Sequence, residues 1–324
     1  MRLRELFDRA IAVGLENDPR GRETVAKELE EKKKEYDSLK ADEREFFDPE
    51  TLLHPYTDSR ILNGTGDEKI NSALIGIDIE VGEILLFDRL KERGVNVDFI
   101  VGHHPDGRAY AKLYDVMRMQ SDILHTFGIS ISTAEDLMEG RIKEVERKLM
   151  PINHTRSVDA ARMLDIPFIC LHTPADNMVA TFLQRTFDEK KPYTVSDVID
   201  ILRTFPEYRE SARNGAGPKV FIGSQKRKAG RVFVDMTGGT AGSKEIFTSM
   251  ASSGINTVVA MHVSEEHRKE AEKNHLNVVI AGHISSDSLG LNLLFDELIR
   301  GTDPPLDIHE CSGFRRFSRL SHQL

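Results

Sequence analysis

The sequence predicts an α/β protein with mostly parallel strands, built from two related halves and preceded by a helical segment. From Ser72 onward, short apolar runs alternate with amphipathic stretches at the spacing of strand–helix–strand units, which require parallel strands. The order of these elements recurs along the chain, which indicates an internal duplication. Several apolar runs end in histidine, and ligands gather at the carboxyl ends of parallel strands.

Composition narrows the class of protein. Apolar residues make up 39% of the 324 residues and charged residues 30%, which is typical of a globular protein in water. No apolar run approaches the ~20 residues of a membrane-spanning helix, and the first residues lack the apolar core of a secretory signal. Cys170 and Cys311 form no CxxC pattern, so neither a disulfide framework nor a thiolate metal site is expected. We expect a cytoplasmic protein that contacts no membrane.

The charge balance argues against one class of partner. The chain has 53 acidic and 44 basic residues, a net charge of −9, which disfavours binding to nucleic acid through its phosphates. The densest basic groups, Lys226–Lys228 and Arg315–Arg316, are interpreted as a turn and a charged tail. Nucleic acid is therefore not an expected partner.

Residues 1–71 are predicted to form a helical extension and a linker. The first apolar residues recur at helical spacing: Leu3, Leu6, Phe7, Ala10 and Ile11. A second helix begins near Arg22, and its sparse apolar positions place it at the surface of the main fold or in a subunit contact. Asp48–Asn71, which contains two prolines and two glycines, is expected to lead into the main domain.

The main domain is predicted to span 72–324, with halves at about 72–215 and 216–300. The first half is predicted to contain a strand (ALIGIDI), a helix (VGEILLFDRLKERG) and a second strand (VDFIVG). Two further strands are predicted at GISIS and IPFICL. In the second half, KVFIGS and RVFVDM are predicted to form a hairpin around the turn KRKAG. Ala73–His103 and Arg231–His262 share one order of elements, so the halves are expected to build one site from both sets of strand ends.

Three predicted strands end in histidine, and two of these histidines precede an aspartate by four residues. His103 and His104 follow FIVG, whereas His172 precedes Asp176 and His283 precedes Asp287. A lone histidine at a strand end is more often a satisfied polar residue than a ligand. Three at equivalent positions, with carboxylates and without cysteine, indicate a site for zinc, manganese, iron, cobalt or nickel.

Each of these motifs also has a simpler interpretation. The adjacent His103 and His104 could give one imidazole to each of two metals, which lie ~3.5–4 Å apart in such sites, although an HHP string also arises by chance. Asp287 would lie in the first turn of a helix capped by Ser285 or Ser286, where any carboxylate is stabilising. Pro174 favours a loop around Asp176.

A glycine-rich turn follows the strand RVFVDM. Gly238, Gly239 and Gly242 could cradle a phosphate, but the chain contains neither GxxxxGK[ST] nor GxGxxG, and it contains no GxSxG elbow. The turn therefore has low weight as a nucleotide motif.

The order of these motifs resembles the Nif-three-like metal-binding family, which is also filed as GTP cyclohydrolase I type 2. The matching residues are Asp78, Gly102–Pro105, His172–Asp176 and Gly282–Asp287. The resemblance covers roughly Ser72–Arg300 and leaves the N-terminal helices and Met138–Asp165 as additions. It implies a two-lobed α/β fold and a ring-shaped homo-oligomer, commonly a hexamer, with a dinuclear site that faces the interior of the ring.

The resemblance also implies a set of ligands. By position, these are His103, His104, Asp176, His283 and Asp287, with His172 and Asp78 near the site. The family normally has glutamate at the position of Asp287, so the shorter side chain could lower the occupancy of one of two metals. Asp136 follows GISIS, where a typical member has His-Thr-x-x-Asp, and is the second choice to Asp176.

The expected function is a dinuclear metal-dependent hydrolase that acts on a nucleotide-like or phosphorylated small molecule, which is GTP cyclohydrolase-like by resemblance. The alternative is a non-enzymatic, oligomeric scaffold or metal carrier. A hydrolase needs an open cavity with an anion pocket, such as the Gly238–Ser243 turn, whereas a carrier needs only reversible metal binding.

Overall fold

Nine strands form two sheets in the computed structural model, which describes residues 1–320. The last four residues of the predicted domain 72–324 lie outside the described residues. The strands are β1 (Arg60–Asn63), β2 (Ser72–Gly76), β3 (Phe99–Gly102), β4 (Phe168–Cys170), β5 (Lys219–Ile222), β6 (Arg231–Asp235), β7 (Ile255–Ala260), β8 (Asn277–Ile280) and β9 (Asp307–Glu310). All residues of β2, β3 and β4 are buried, as expected for parallel strands that are covered on both faces.

The two sheets repeat one topology. The first sheet has the order β1-β4-β3-β2-β9, and the second has the order β5-β8-β7-β6. In each sheet the strand that begins the half is an antiparallel edge, and the next three strands are parallel. The predicted α/β class, the mostly parallel sheets and the internal duplication are confirmed.

The predicted hairpin of KVFIGS and RVFVDM is wrong. These segments are β5 and β6, which lie at opposite edges of the second sheet with β8 and β7 between them. The backbone of the turn between them bonds elsewhere, because Val195 N–H donates to the carbonyl of Arg227 and Ser196 N–H donates to that of Gln225.

Fifteen α-helices surround the sheets within residues 1–320. They are α1 (Leu3–Glu16), α2 (Arg22–Ser38), α3 (Ala41–Arg44), α4 (Val81–Glu92), α5 (Gly107–Ala111), α6 (Leu113–Val116), α7 (Met119–Thr126), α8 (Ile131–Leu149), α9 (Arg156–Met163), α10 (Thr173–Lys190), α11 (Val195–Leu202), α12 (Pro206–Arg213), α13 (Ile246–Ser252), α14 (Glu265–Lys273) and α15 (His283–Ile299). The predicted strand GISIS is wrong, because its last residues begin α8, which buries Ala134, Met138 and Ile142 at helical spacing.

The N-terminal segment contributes to the main core. The five apolar residues predicted for one face of α1 are buried, and this helix packs against α10 and α15. In α2 only Val25 is buried, so this helix lies at the surface, as predicted. The predicted linker contains β1, which pairs with β4. Residues 1–71 thus supply part of the first sheet and its core, while the domain boundary itself stays a prediction.

Helices α10 and α15 occupy equivalent places in the two halves and cross closely. A Cβ atom on Gly290 of α15 would lie 2.5 Å from the carbonyl oxygen of Ala175 on α10. A Cβ atom on Gly14 of α1 would lie 2.8 Å from Pro174. The start of α10 is therefore fixed by close contacts on two sides. No helix within residues 1–320 has the length and apolar character needed to cross a membrane.

Candidate metal centre

The predicted ligands lie where parallel strands pass into loops and helices. His103 and His104 follow β3, His172 follows β4, and His283 begins α15 after β8. Pro174 lies in the first turn of α10, where a missing N–H has no consequence, so the loop predicted around Asp176 is wrong. Helix α15 begins before Ser285, and Asp287 lies beyond its first turn. A helix-start role therefore does not explain Asp287.

Three imidazoles are oriented through Nδ1. His103 Nδ1 donates to the carbonyl of Leu171 over 3.2 Å, and His104 Nδ1 donates to Asp78 over 2.7 Å. His172 Nδ1 donates to Asp58 over 2.7 Å. Because these partners accept hydrogen bonds, Nδ1 carries the proton and each neutral ring keeps its lone pair on Nε2. Such outer partners are typical of histidines that bind metal.

The Nε2 atoms converge on two buried carboxylates. His103 Nε2 lies 3.4 Å from Asp176 Oδ1 and 3.5 Å from Asp287 Oδ1. His104 Nε2 lies 3.4 Å from Asp287 Oδ2, and His283 Nε2 lies 3.6 Å from the same oxygen. The structure thus brings together all five residues that were predicted as ligands.

Two groups of three side chains could each hold an ion. One consists of His103, His172 and Asp176, and the other of His103, His104 and Asp287, with all ligand atoms of a group within 4.8 Å of one another. His172, predicted to lie only near the site, belongs to the first group, and its Nε2 is 3.7 Å from Asp176. His283 stands beside the second group.

Several buried atoms of this cluster are unpartnered. His103 Nε2, Asp176 Oδ1 and both carboxylate oxygens of Asp287 form no hydrogen bond within residues 1–320, although these side chains are almost fully buried. A buried polar atom without a hydrogen bond costs about 1–3 kcal/mol. A bound cation would satisfy all four atoms, so the residues fit a divalent metal. Imidazole nitrogens and carboxylate oxygens suit several transition metals equally.

Proton binding and metal binding compete at this centre. Burial alone would lower the pKa of His103, but Asp287 and Asp176 raise that pKa to about 10. Burial would raise the pKa of Asp287, but the nearby charge of His103 outweighs burial and holds that pKa below its usual range. A metal must therefore displace a proton from His103.

Asp136, the second choice for the carboxylate ligand, lies elsewhere. It is exposed on α8, whereas Asp176 is buried beside His103 and His172. Sequence reasoning missed Asp58, which also accepts a hydrogen bond from Thr173 and lies in the predicted linker. No local pattern marks Asp58, because its partners are more than a hundred residues away.

A cavity of about 420 Å³ opens beside the cluster and is lined by both halves. The first half contributes Asp78, His104 and Asp106, and the second contributes Asp235 and His262. His262, which ends a strand in the repeat, has its ring 4.9 Å from that of His283. Burial lowers the pKa of His262 and keeps this ring neutral near pH 7.

The glycine-rich turn forms part of the same wall. Gly239, Thr240 and Ala241 line the cavity. Gln120 on α7 donates to the carbonyls of Gly238 and Thr240 over 2.6 and 2.7 Å. Thr237 donates to Asn177, the neighbour of Asp176, over 2.7 Å. The turn is therefore tied to the helix that carries a predicted ligand.

Known structures share this architecture. A NIF3 superfamily protein from Sphaerobacter thermophilus superposes with a TM-score of 0.68, at 24% identity, over 80% of this chain and 92% of that chain. The chain has the NIF3-like fold. HcgD from Methanocaldococcus jannaschii, in its reduced form, matches less closely, with a TM-score of 0.47 and 15% identity over 78% of this chain and 87% of that chain. No family model and no curated protein matches the sequence. The NIF3-like fold that the resemblance implied is confirmed.

Proposed function

We propose that this chain binds two divalent metal ions and acts as a metal-dependent hydrolase on a nucleotide-like or phosphorylated small molecule. The observation that carries the proposal is Asp287, a buried carboxylate with both oxygens unpartnered within residues 1–320. Its Oδ1 faces His103, and its Oδ2 faces His104 and His283. A carboxylate in this position could supply an oxygen ligand to each of the two proposed ions.

The side chains divide naturally between the two positions. One ion would be held by Asp176 with His103 and His172, and the other by Asp287 with His104 and His283. Two bound ions would lower the pKa of a bound water to about 7 and stabilise negative charge on a leaving oxygen. Asp78 and Asp58 orient the imidazoles of His104 and His172 through Nδ1, which would leave Nε2 of each ring to hold an ion.

The size and position of the cavity favour an enzymatic function over that of a metal carrier. Its volume of about 420 Å³ lies within the range of roughly 300–1,000 Å³ that is usual for small-molecule sites. It opens directly onto His104 and Asp287, so a bound molecule would reach the metals. The tied turn at Gly239 and Thr240 supplies backbone groups on the opposite side.

A metal carrier is the second candidate, and one observation favours it. The side chain of His283 is 40% exposed, so one ligand is open to solvent and could exchange metal with another protein. For either function we propose a homo-oligomer, because α4 and α9 expose large apolar side chains. The family resemblance favours a ring of six.

Metal analysis of protein purified without chelator tests the proposal. We expect between one and two divalent ions per chain, and an almost metal-free His103→Ala variant that keeps its fold. Metal-loaded protein should then hydrolyse a phosphodiester or nucleotide from a chromogenic panel, and the variant should not. Protein that stays metal-free after incubation with zinc, manganese or iron contradicts the centre. Loaded protein that hydrolyses nothing but delivers its zinc to a chelating dye would favour the carrier.

A further inference from the structure

Side chains of three helices hold the glycine-rich turn 238–243 from one side. The donors are Gln120 of α7, Arg141 of α8 and His267 of α14. Gln120 binds two carbonyl groups of the turn, and the other two side chains bind one each. The carbonyls belong to Gly238, Thr240, Ala241 and Gly242, and the hydrogen bonds measure 2.6, 2.7, 3.0 and 3.1 Å respectively. These four carbonyl groups therefore face the three helices.

The amide groups of the turn point the other way. The peptide bonds of this stretch are trans, and in a trans peptide the N–H points opposite to the C=O of the same unit. The bound carbonyls therefore direct four N–H groups away from the helices, those of Gly239, Ala241, Gly242 and Ser243. None of these N–H groups donates a hydrogen bond within residues 1–320. Two of the four residues, Gly239 and Ala241, line the cavity, so the turn offers unpaired donors to it.

Glycine is required for this backbone shape. Gly238 and Gly239 have φ angles of +96° and +82°, in the left-handed region that favours glycine. A Cβ atom on Gly238 would also lie 2.6 Å from the side chain of Gln120, which holds the turn. Successive N–H groups that turn to one side form a concave nest, and such nests bind anions. The turn thus has the form of an anion site, although its sequence matches no phosphate-binding motif.

The cavity offers few other groups to an anion. Among the described residues that line it, none is lysine or arginine. The positive charge closest to the turn is that of Arg141, which is bonded to the carbonyl of Ala241 from behind. The carboxylate of Asp235 also lines this side of the cavity and opposes an anion. The unpaired amides and Arg141 are therefore the groups that must outweigh it.

We propose that the turn 238–243 holds a phosphate group of the substrate through its backbone N–H groups, while the metals act on another part of the same molecule. This inference rests on the proposed function in assigning the bound group to a substrate. It deepens that function, because the phosphate becomes the group by which the substrate is held and not the group that reacts. Hydrogen bonds from amides to an ionised phosphate are charge-assisted and stronger than those between neutral groups.

Hydrogen exchange of the backbone amides tests this inference, with inorganic phosphate as the probe. In zinc-loaded protein freed of excess zinc, peptides that contain residues 239–243 should exchange at least about tenfold more slowly in phosphate than in chloride of equal ionic strength. This is the effect of one hydrogen bond to a charged group. Peptides from β6 and α13, on either side of the turn, should exchange equally in both salts. No slowing at residues 239–243, or equal slowing throughout the chain, would overturn the inference.

The variant His103→Ala separates the turn from the metal centre. It should lack metal, and phosphate should still slow exchange at residues 239–243. If phosphate acts there only when zinc is bound, the metals hold the anion and the inference is wrong. Wild-type protein that binds no zinc but shows slowed exchange at the turn would support the anion site and contradict the metal centre.

Two matched glutamine substitutions locate the donors. Gln120→Glu places a carboxylate, which cannot donate, against two carbonyls of the turn, so phosphate should no longer slow exchange there while the zinc content stays at the wild-type level. Gln184→Glu on α10 removes a similar amide, which donates to the carbonyl of Val232 in β6 over 3.1 Å, and should leave the effect of phosphate intact. An effect that survives Gln120→Glu, or that is lost in Gln184→Glu, contradicts the role of the turn.

Discussion

Asp287 has more contacts with imidazoles than the other carboxylate of the proposed centre. Its two oxygens face three imidazoles, and neither oxygen has a hydrogen-bond partner within residues 1–320. Asparagine preserves the shape of the side chain but removes the charge that a cation requires. Glutamate keeps the charge and adds reach. The two substitutions therefore separate charge from size.

We predict that Asp287→Asn lowers metal affinity by at least about tenfold, the usual minimum for residues that support a metal. Asp287→Glu should keep or raise metal content. Elemental analysis after dialysis measures both. Asp136→Asn, an exposed carboxylate on α8, is the matched control and should change nothing. If Asp287→Asn retains its full metal content, the centre rests on the histidines and Asp176 alone.

The titration of His103 and Asp287 predicts how the metal-free protein responds to pH. The pKa of His103 is raised to about 10 in the fold, so its contribution to stability is complete below its unfolded pKa of about 6.5 and is lost as pH rises towards 10. The pKa of Asp287 is lowered, so its contribution is present above about pH 4 and is lost as pH falls further. In metal-free protein, this pair should therefore contribute most to the free energy of unfolding between about pH 4 and 6.5.

Thermal unfolding of metal-free protein, prepared with a chelator, and of zinc-loaded protein between pH 5 and 10 tests this prediction. The unfolding temperature of the metal-free protein should fall as pH rises above 7. That of the zinc-loaded protein should fall less, because the metal replaces the proton on His103. In metal-free Asp287→Asn protein, the unfolding temperature should fall less steeply with pH. If metal-free and zinc-loaded wild-type protein show the same dependence of unfolding temperature on pH, proton and metal do not compete for His103.

The residues of the centre show what a sequence can reveal about a site. His103, His104, His172 and His283 could be predicted because each follows an apolar run, and such runs mark strand ends. Asp58 could not, because it acts on His172 from a segment without regular structure. The local sequence pattern identifies residues at the ends of strands and helices. Residues that hydrogen-bond to them from distant segments are identified only by the three-dimensional structure.

At the scale of elements, the distance between α10 and α15 sets the spacing of Asp176 and Asp287. The backbones approach closely because Gly290 has no side chain to push them apart at Ala175. Gly290→Ala should therefore destabilise the fold by about 1–3 kcal/mol through overpacking and also weaken metal binding by shifting Asp176. Gly140→Ala on α8 is the matched control, since no atom of residues 1–320 lies within 4 Å of its new Cβ atom. It should stabilise the protein by up to about 1 kcal/mol.

Denaturant unfolding of the chelated variants and zinc titration of the folded ones measure these two effects separately. A Gly290→Ala variant that binds zinc as tightly as the wild type would show that the centre adjusts independently of the crossing.

The elements that the sequence predicted wrongly failed for two different reasons. The hairpin of β5 and β6 failed because the order of strands in a sheet is decided by which buried strands enter between them, here β7 and β8. GISIS failed because a long helix, α8, begins at Ile131, and its buried face starts three residues later at Ala134. The spacing of apolar residues along the sequence predicted most helices and strands correctly. Which strands pair within a sheet depends on segments that lie far apart in the sequence.

At the scale of the molecule, the duplication explains how the centre arose from two halves. Each half provides an aspartate four residues after a strand-end histidine, on α10 and on α15. The halves then differ, because the first has adjacent histidines after β3 and the second has Met261 and His262 after β7. The first half therefore supplies most of the predicted ligands, and the second supplies His262 and Asp235 to the cavity wall.

The outer surface of the first half predicts self-association. Leu85 on α4 is 54% exposed and Met163 on α9 is 79% exposed, and these two helices pack against each other. Large apolar side chains exposed on two neighbouring helices are typical of an interface between proteins. We expect light scattering to give a mass that is a multiple of the 36.6 kDa chain.

The double substitution Leu85→Glu with Met163→Glu should shift that mass towards the mass of one chain, since buried like charges oppose contact between copies. Phe46→Glu, at a residue that is 86% exposed near α3, is the matched control and should leave the assembly unchanged. Wild-type protein that scatters as a single chain at all concentrations contradicts the assembly, and a double variant that keeps the wild-type mass places the interface on another face.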